Sequence, residues 1–218
     1  MSHLKTLLAS VAVVMMAAGG AQAAIVGAVG GTINAGGPGF GTLAETFNQA
    51  GLSAGYVSGV TDFDTYVPGT SHSTIFSGFE WFSQNPSNAA NVTYDLGSVL
   101  NINKMALWNE EVAGIGLMSL LVSSDNVTFS SLAVGLMPTN NPLSSDYFAD
   151  VFTFAATSFR YIQLDMTGCP QEGGGFPSCA IGEVAFNSVA AVPVPASLPL
   201  LIGALGGLGL IRRRRKSA

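Results

Sequence analysis

From about residue 90 onward, apolar side chains recur at every second position in short runs, with turn formers between the runs. In Arg160–Met166, Ile162, Leu164 and Met166 alternate with Tyr161, Gln163 and Asp165. A period of two sends one row into a core and the other toward solvent, which is the signature of a strand with one wet face. Val92, Tyr94 and Leu96 repeat the pattern before a turn at Gly97-Ser98. Lys104–Trp108 and Leu117–Ser123 read as further strands, Ser124-Asp125-Asn126 as a turn, and Val127–Ser130 as the returning strand. Phe148, Phe152 and Phe154 share one strand face, and Val184 and Phe186 mark a last strand in Ala180–Asn187. About seven short strands in a helix-poor chain predict an all-β fold, an antiparallel β-sandwich or jelly roll. No repeat of fixed period is present, which excludes propellers and solenoids.

Before this region the pattern is weaker. Gly27–Gly41 is Gly-rich without usable periodicity, and Gly55–Gly78 is dominated by loops. Thr42-Leu43-Ala44-Glu45 has the spacing of a capping box, which predicts a two-turn helix ending near Gly51.

Both ends of the chain look like addresses. Lys5, the apolar stretch Leu7–Ala18 and Ala21-Gln22-Ala23 form a signal peptide over residues 1–23, with cleavage between Ala23 and Ala24. The far end runs from a linker and proline box at 188–196, through an uncharged apolar segment at 197–211, to a basic tail at 212–218. Prolines keep the box extended. The apolar segment, with Gly203, Gly206, Gly207 and Gly209, suits a short transmembrane helix. The arginines hold the tail on the cytoplasmic side and put everything before them outside.

The order Val192-Pro193-Val194-Pro195-Ala196, apolar helix, Arg212-Arg213-Arg214-Arg215 resembles the PEP-CTERM sorting signal of Gram-negative bacteria. The nearest variant reads Val-Pro-Leu-Pro-Ala, and Val194 replaces its Leu. The resemblance implies an inner-membrane-anchored precursor, cut by signal peptidase and then by an exosortase, and delivered to the cell surface or extracellular matrix. The other reading of the tail is a plain membrane anchor that is never cut.

Without these segments, residues 24–187 form one domain long enough to bury a core. All thirteen acids of the chain fall within it, against Lys104 and Arg160 as its cations, a net −11. Such a balance cannot neutralise phosphates, so nucleic-acid partners are excluded. Cys169 and Cys179, in an exported chain, are expected to form a disulfide. It closes an eleven-residue loop containing Gly173-Gly174-Gly175 and Pro177.

Five segments in order carry a second resemblance: Glu80-Trp81-Phe82, Val92–Gly97, Leu121–Phe129, Phe159–Leu164 and Ile181–Val184. Together they look like the discoidin, or coagulation-factor type C, branch of the galactose-binding-like jelly rolls, over about half the chain. That resemblance implies a binding module, usually for glycans, here a glycan or exopolysaccharide. Relatives often hold a structural calcium between an early Asp-rich loop and the Glu of the last strand. Asp62-Phe63-Asp64-Thr65 offers alternating oxygens of the hard-cation type, and the resemblance adds Glu183, so Ca2+ on Asp62, Asp64 and Glu183 is one expectation. The other is that the two aspartates only shape a turn through backbone hydrogen bonds.

Trp81, Trp108, Tyr66 and Tyr147 are the aromatics to inspect as glycan platforms, although the tryptophans sit at strand positions that suit a core. His72 reads as a solvated loop histidine. Glu110-Glu111 are adjacent in a loop, but neighbouring side chains need not converge on one substrate. No Gly-x-Ser-x-Gly, His-Glu-x-x-His or phosphate loop is present, and the chain reads as non-enzymatic. The alternative to glycan binding is a purely structural envelope protein with no discrete ligand.

Overall fold

A computed structural model describes residues 23–74 and 78–189. The chain runs β1 (Ala24–Val26), β2 (Gly30–Ala35), a 3-10 turn (Leu43–Phe47), the one-turn helix α1 (Phe63–Tyr66), β3 (Ser71–His72), β4 (Trp81–Phe82), β5 (Ala89–Asn109), β6 (Leu117–Ser123), β7 (Ser130–Leu136), β8 (Tyr147–Phe148), β9 (Asp150–Thr167) and β10 (Ala180–Ser188). Strand order is β1-β10-β5-β9-β6-β7, with β2 also on β5 and β4 also on β10, while β3 and β8 pair separately. Every pairing is antiparallel.

Two long strands make this ladder into two layers. The first half of β5 pairs with β2 and with the end of β9, whereas its second half pairs with β10 and the start of β9. Between the halves the β5–β9 register breaks, from Asp95 to Leu100. Gly97 takes φ 81° there, a left-handed backbone open to glycine, so the expected turn is a corner that the strand rounds without ending. Val92, Tyr94, Leu120, Ile162 and Leu164 of one layer pack against Met105, Leu107, Val184 and Phe186 of the other, all buried. This is the predicted jelly-roll sandwich. The alternate residues of the second layer, Ala106, Trp108 and Ala185, face a second core with Phe63 and Val67 of the segment around α1.

Local chemistry explains where elements differ from expectation. The capping box is present, with Thr42 N–H donating to Glu45 Oε2 at 2.7 Å, but it starts a five-residue 3-10 turn instead of a two-turn helix. Gln49 turns left-handed at φ 67°, and its N–H is taken by Glu183 Oε2 of β10 at 3.1 Å. The strand expected at Val127 begins only at Ser130, because Asp125 Oδ1 accepts from Val127 N and Thr128 N, both at 2.9 Å. One strand, β2, occupies the Gly-rich lead that showed no periodicity, and β1 lies just before it.

The pairings define two ends. Ala24 faces Ser188, and Gly30 faces Asp95, at one of them. Ala89 and Leu117 both face Thr167, and Ile181 faces Asn109, at the other. The described chain therefore enters and leaves at one end, and the loops at 36–42, 83–88, 110–116 and 168–179 gather at the opposite end.

Candidate functional site

The loop end carries two clefts and a buried acid cluster. The first cleft, about 320 Å³, is lined by Pro38, Gly39, Phe40, Gln84, Asn85 and Phe176, among others. Phe40 bridges to Phe82 through both backbone bonds, 2.9 and 2.8 Å, which fixes its ring at the rim with 58% exposure. Gly39 sits at φ 73°, where a Cβ would lie 1.9 Å from the Phe82 carbonyl oxygen, so only glycine allows this approach. Trp81 Nε1–H donates to Pro38 O at 2.9 Å and pins the same loop. Phe82 stands edge-on between Phe40 and Phe176, with ring centroids 6.2 and 5.7 Å away. The result is a shallow aromatic wall facing Gln84 and Asn85, whose amides can both donate and accept.

Phe176 belongs to the loop closed by the Cys169–Cys179 disulfide. That loop is docked by more than its bridge: Gln171 N donates to Gly114 O at 3.0 Å, and Ala180 N to Ala113 O at 2.9 Å. Asn109, at the end of β5, ties the surroundings together. Its Nδ2 donates to Thr139 O at 2.9 Å and Gln171 Oε1 at 3.1 Å, and its Oδ1 accepts from Ile115 N at 2.8 Å. On the other side of the loop lies a second cleft of about 260 Å³, lined by Glu111, Asn140, Asn141, Leu143, Glu172 and Gly173 among others. The disulfide loop is thus the partition between an aromatic cleft and a polar one.

Behind the polar cleft, one carboxylate oxygen from each of Glu80, Glu110 and Glu111 falls within 4.8 Å of the other two. All three residues are buried, at 3%, 0% and 3% exposure. Tyr147 OH donates to Glu80 Oε1 at 2.7 Å. His72 stacks on Tyr147 at 5.1 Å between centroids, with Nδ1 3.6 Å from the same oxygen. Glu110 Oε2 accepts from Val112 N at 2.9 Å and Ala113 N at 2.5 Å. Burial raises the Glu80 carboxyl to about 7, above the usual carboxylate range, and raises Glu110 as well. The His72 imidazole is lowered by its burial, which favours the neutral ring.

The residues expected from sequence divide sharply. Asp62, Asp64 and Glu183 do not come together as a cation shell, since the Glu80, Glu110 and Glu111 set is the one such group among the described residues. Asp62 caps α1, accepting from Thr65 N at 2.8 Å, and Asp64 is held by Lys104 Nζ at 2.6 and 2.8 Å. Glu183 is buried on β10 beneath Gln49, where burial pushes its carboxyl up to about 9. Trp81, Trp108 and Tyr147 are core side chains and not platforms, and Tyr66 is half-buried, its ring edge-on to Tyr56 and its hydroxyl donating to Ala54 O. His72 is fully buried instead of solvated, because β3 pairs with β8 over it. Glu110 and Glu111 do converge, brought against Glu80 by the turn that Glu110 itself caps.

Ala23 and Ala24, the two sides of the expected signal cleavage, are both described, with Ala24 in β1, while residues 1–22 of the signal segment lie outside the described residues. So do Val192–Ala196, the apolar segment and Arg212–Arg215; among the described residues no helix is long and apolar enough to cross a membrane. Phe40 and Phe176 went unread in the sequence, for each stands among glycines and prolines with no strand pattern around it.

No protein-family model matches the chain, and no curated protein does. Solved structures do. A truncated AlyQ with CBM32 and alginate lyase domains is similar with a TM-score of 0.52 at 17% identity, over 82% of this chain and 38% of that one. The chain thus spans well under half of that protein, and the likeness is one of fold, the β-sandwich. The CBM32 of AlyQ in complex with 4,5-unsaturated mannuronic acid matches at TM-score 0.48 and 19% identity, over 74% of this chain and 96% of that one. A CBM32 from Clostridium perfringens in complex with GalNAc-β-1,3-galactose matches at 0.48 and 16%, over 74% and 94%.

Proposed function

We propose that residues 24–187 are an exported, non-enzymatic carbohydrate-binding module that takes a glycan of the cell surface or matrix in the aromatic cleft. The observation that carries this reading is the rim itself. An exposed phenyl ring backed by two others faces a pair of side-chain amides, at the end of the sandwich farthest from the chain's entry and exit. A sugar ring presents apolar C–H faces that stack on an aromatic side chain and hydroxyls that pair with amide groups. The CBM32 of AlyQ is solved in complex with 4,5-unsaturated mannuronic acid and the Clostridium perfringens CBM32 with GalNAc-β-1,3-galactose, both ligands of the class proposed here.

Delivery belongs to the same reading. The proline box, apolar segment and arginine run support sorting by an exosortase after signal peptidase has acted, with the inner membrane as a station on the way. The cation expected on Asp62, Asp64 and Glu183 forms no part of it.

Screening the purified protein against a glycan array and against extracted exopolysaccharide tests the ligand class. Phe40→Ala removes the exposed ring and is expected to weaken binding at least tenfold, about 1.4 kcal/mol, with no change in melting temperature. A blank array, or a Phe40→Ala protein that binds as well as the parent, returns the chain to a structural envelope role.

A further inference from the structure

Three carboxylates cannot share so small a buried volume as three free negative charges. No Lys or Arg among the described residues relieves them. Among the described residues the only Lys and Arg are Lys104 and Arg160, and they are held by Asp64 and Asp95 at 2.6 and 2.8 Å. Acid clusters without a bound ion are common on surfaces, where water solvates them. What sets this one apart is that Glu110 is fully buried and its Oε1 has no hydrogen-bond partner, while Oε2 is fixed by two backbone N–H groups. One oxygen is anchored and the other is left as a buried, bare acceptor on a member of the cluster. Tyr147 similarly anchors Glu80 through Oε1. Glu111 completes the set and lines the polar cleft, which gives an ion and its waters a route from solvent.

We propose that Glu80, Glu110 and Glu111 bind a divalent cation of the calcium type, at a site separate from Asp62, Asp64 and Glu183. All-oxygen, carboxylate-rich ligation suits a hard cation, and water reaching past Glu111 supplies the remaining positions. The ion ties the turn after β5 to the segment before β4, and so stiffens the floor between the two clefts. The site stands whether or not a glycan binds at Phe40.

The test uses the purified protein stripped with a chelator. Tb3+ is the probe, excited through Tyr147 and the nearby tryptophans, with Ca2+ as competitor and native mass spectrometry for stoichiometry. Expected are sensitised emission, one ion per chain, displacement by millimolar Ca2+ as in extracellular modules, and a higher melting temperature with Ca2+. Glu110→Gln should weaken binding at least tenfold with an unchanged far-UV circular dichroism spectrum, while Asp64→Asn and Glu183→Gln should bind as the parent does. Should Glu110→Gln not fold, Glu111→Gln at the cleft edge takes its place. A stripped parent that takes up no Tb3+ or Ca2+ overturns the proposal on its own. So does an ion lost in Asp64→Asn or Glu183→Gln but kept in Glu110→Gln.

Discussion

Glu183 shows how a single residue can be legible in type and misread in role. Its position in an alternating last strand was readable, but the resemblance cast it as a calcium ligand, and the structure buries it on β10 beneath Gln49 instead. What the sequence could not supply was its partner, because Gln49 lies 134 positions away. Asp62 and Asp64, by contrast, do what short-range chemistry makes of such a pair: one caps a helical turn and the other meets a lysine. The raised Glu183 carboxyl, near 9, has a definite consequence for stability. Between the ordinary carboxylate pKa and 9 the folded chain keeps a proton that the unfolded chain releases. Stability is therefore fullest at acid pH and declines as pH rises, at up to about 1.4 kcal/mol per unit. Glu80 acts with the same sign but only up to about 7. Glu183→Gln should accordingly flatten the pH 7–9 part of the curve, measured by chemical denaturation with a chelator present. A parent whose stability rises over that range would show that the buried acid is ionised.

At the scale of elements, legibility followed burial. β6 and β10 were readable because their apolar rows face a core, and Ile162, Leu164 and Met166 of β9 are buried as the alternation requires. β2 was not, since Gly-Gly-Thr-Ile-Asn-Ala buries no full row and is held to β5 mainly by backbone pairing. The corner at Gly97 was read as a stop for a related reason: a left-handed glycine looks the same in sequence whether a strand ends or bends. The Cys169–Cys179 segment is where element and function meet. Its glycines and proline offer no strand or helix pattern, yet it carries Phe176 into one cleft and Glu172 to the other. Replacing both cysteines by serine releases an eleven-residue closure, worth about 2.5–3 kcal/mol on the chain-entropy model. For a domain of this size the melting temperature should fall by roughly 5–12 °C. Glycan affinity should fall as well, because Phe176 loses its fixed place against Phe82. Calorimetry of the double variant at pH 7 reads the first effect and the exopolysaccharide titration the second; an unchanged melting temperature would mean that Gln171 and Ala180 hold the loop without the bridge.

For the molecule as a whole, the sandwich followed from strand count and period, but its polarity did not. Polarity needed the register, which puts Ala24 beside Ser188 and leaves Phe40, Phe82, Phe176 and the acid cluster at the far end. Those residues come from segments tens of positions apart, and only the antiparallel path of β5, β9 and β10 assembles them. On the delivery proposed above, a tether following Ser188 would leave the clefts at the opposite end of the sandwich, and its removal would not touch the residues that line them. Address and cargo should therefore be separable. Replacing Arg212–Arg215 with glutamine is expected to leave the melting temperature of the domain and its exopolysaccharide affinity within twofold of the parent, since those residues adjoin neither cleft in sequence nor the strands that frame them. On that proposed delivery, the same change should alter where the protein is recovered and the mass of its C-terminal peptide, because the basic run would be what holds the apolar segment in the membrane for an exosortase. Mass spectrometry of the C-terminus from surface and membrane fractions decides the matter. A surface-recovered parent that still ends in its arginines, together with a variant that reaches the same place, would make the tail a passive segment and leave export to the signal peptide alone.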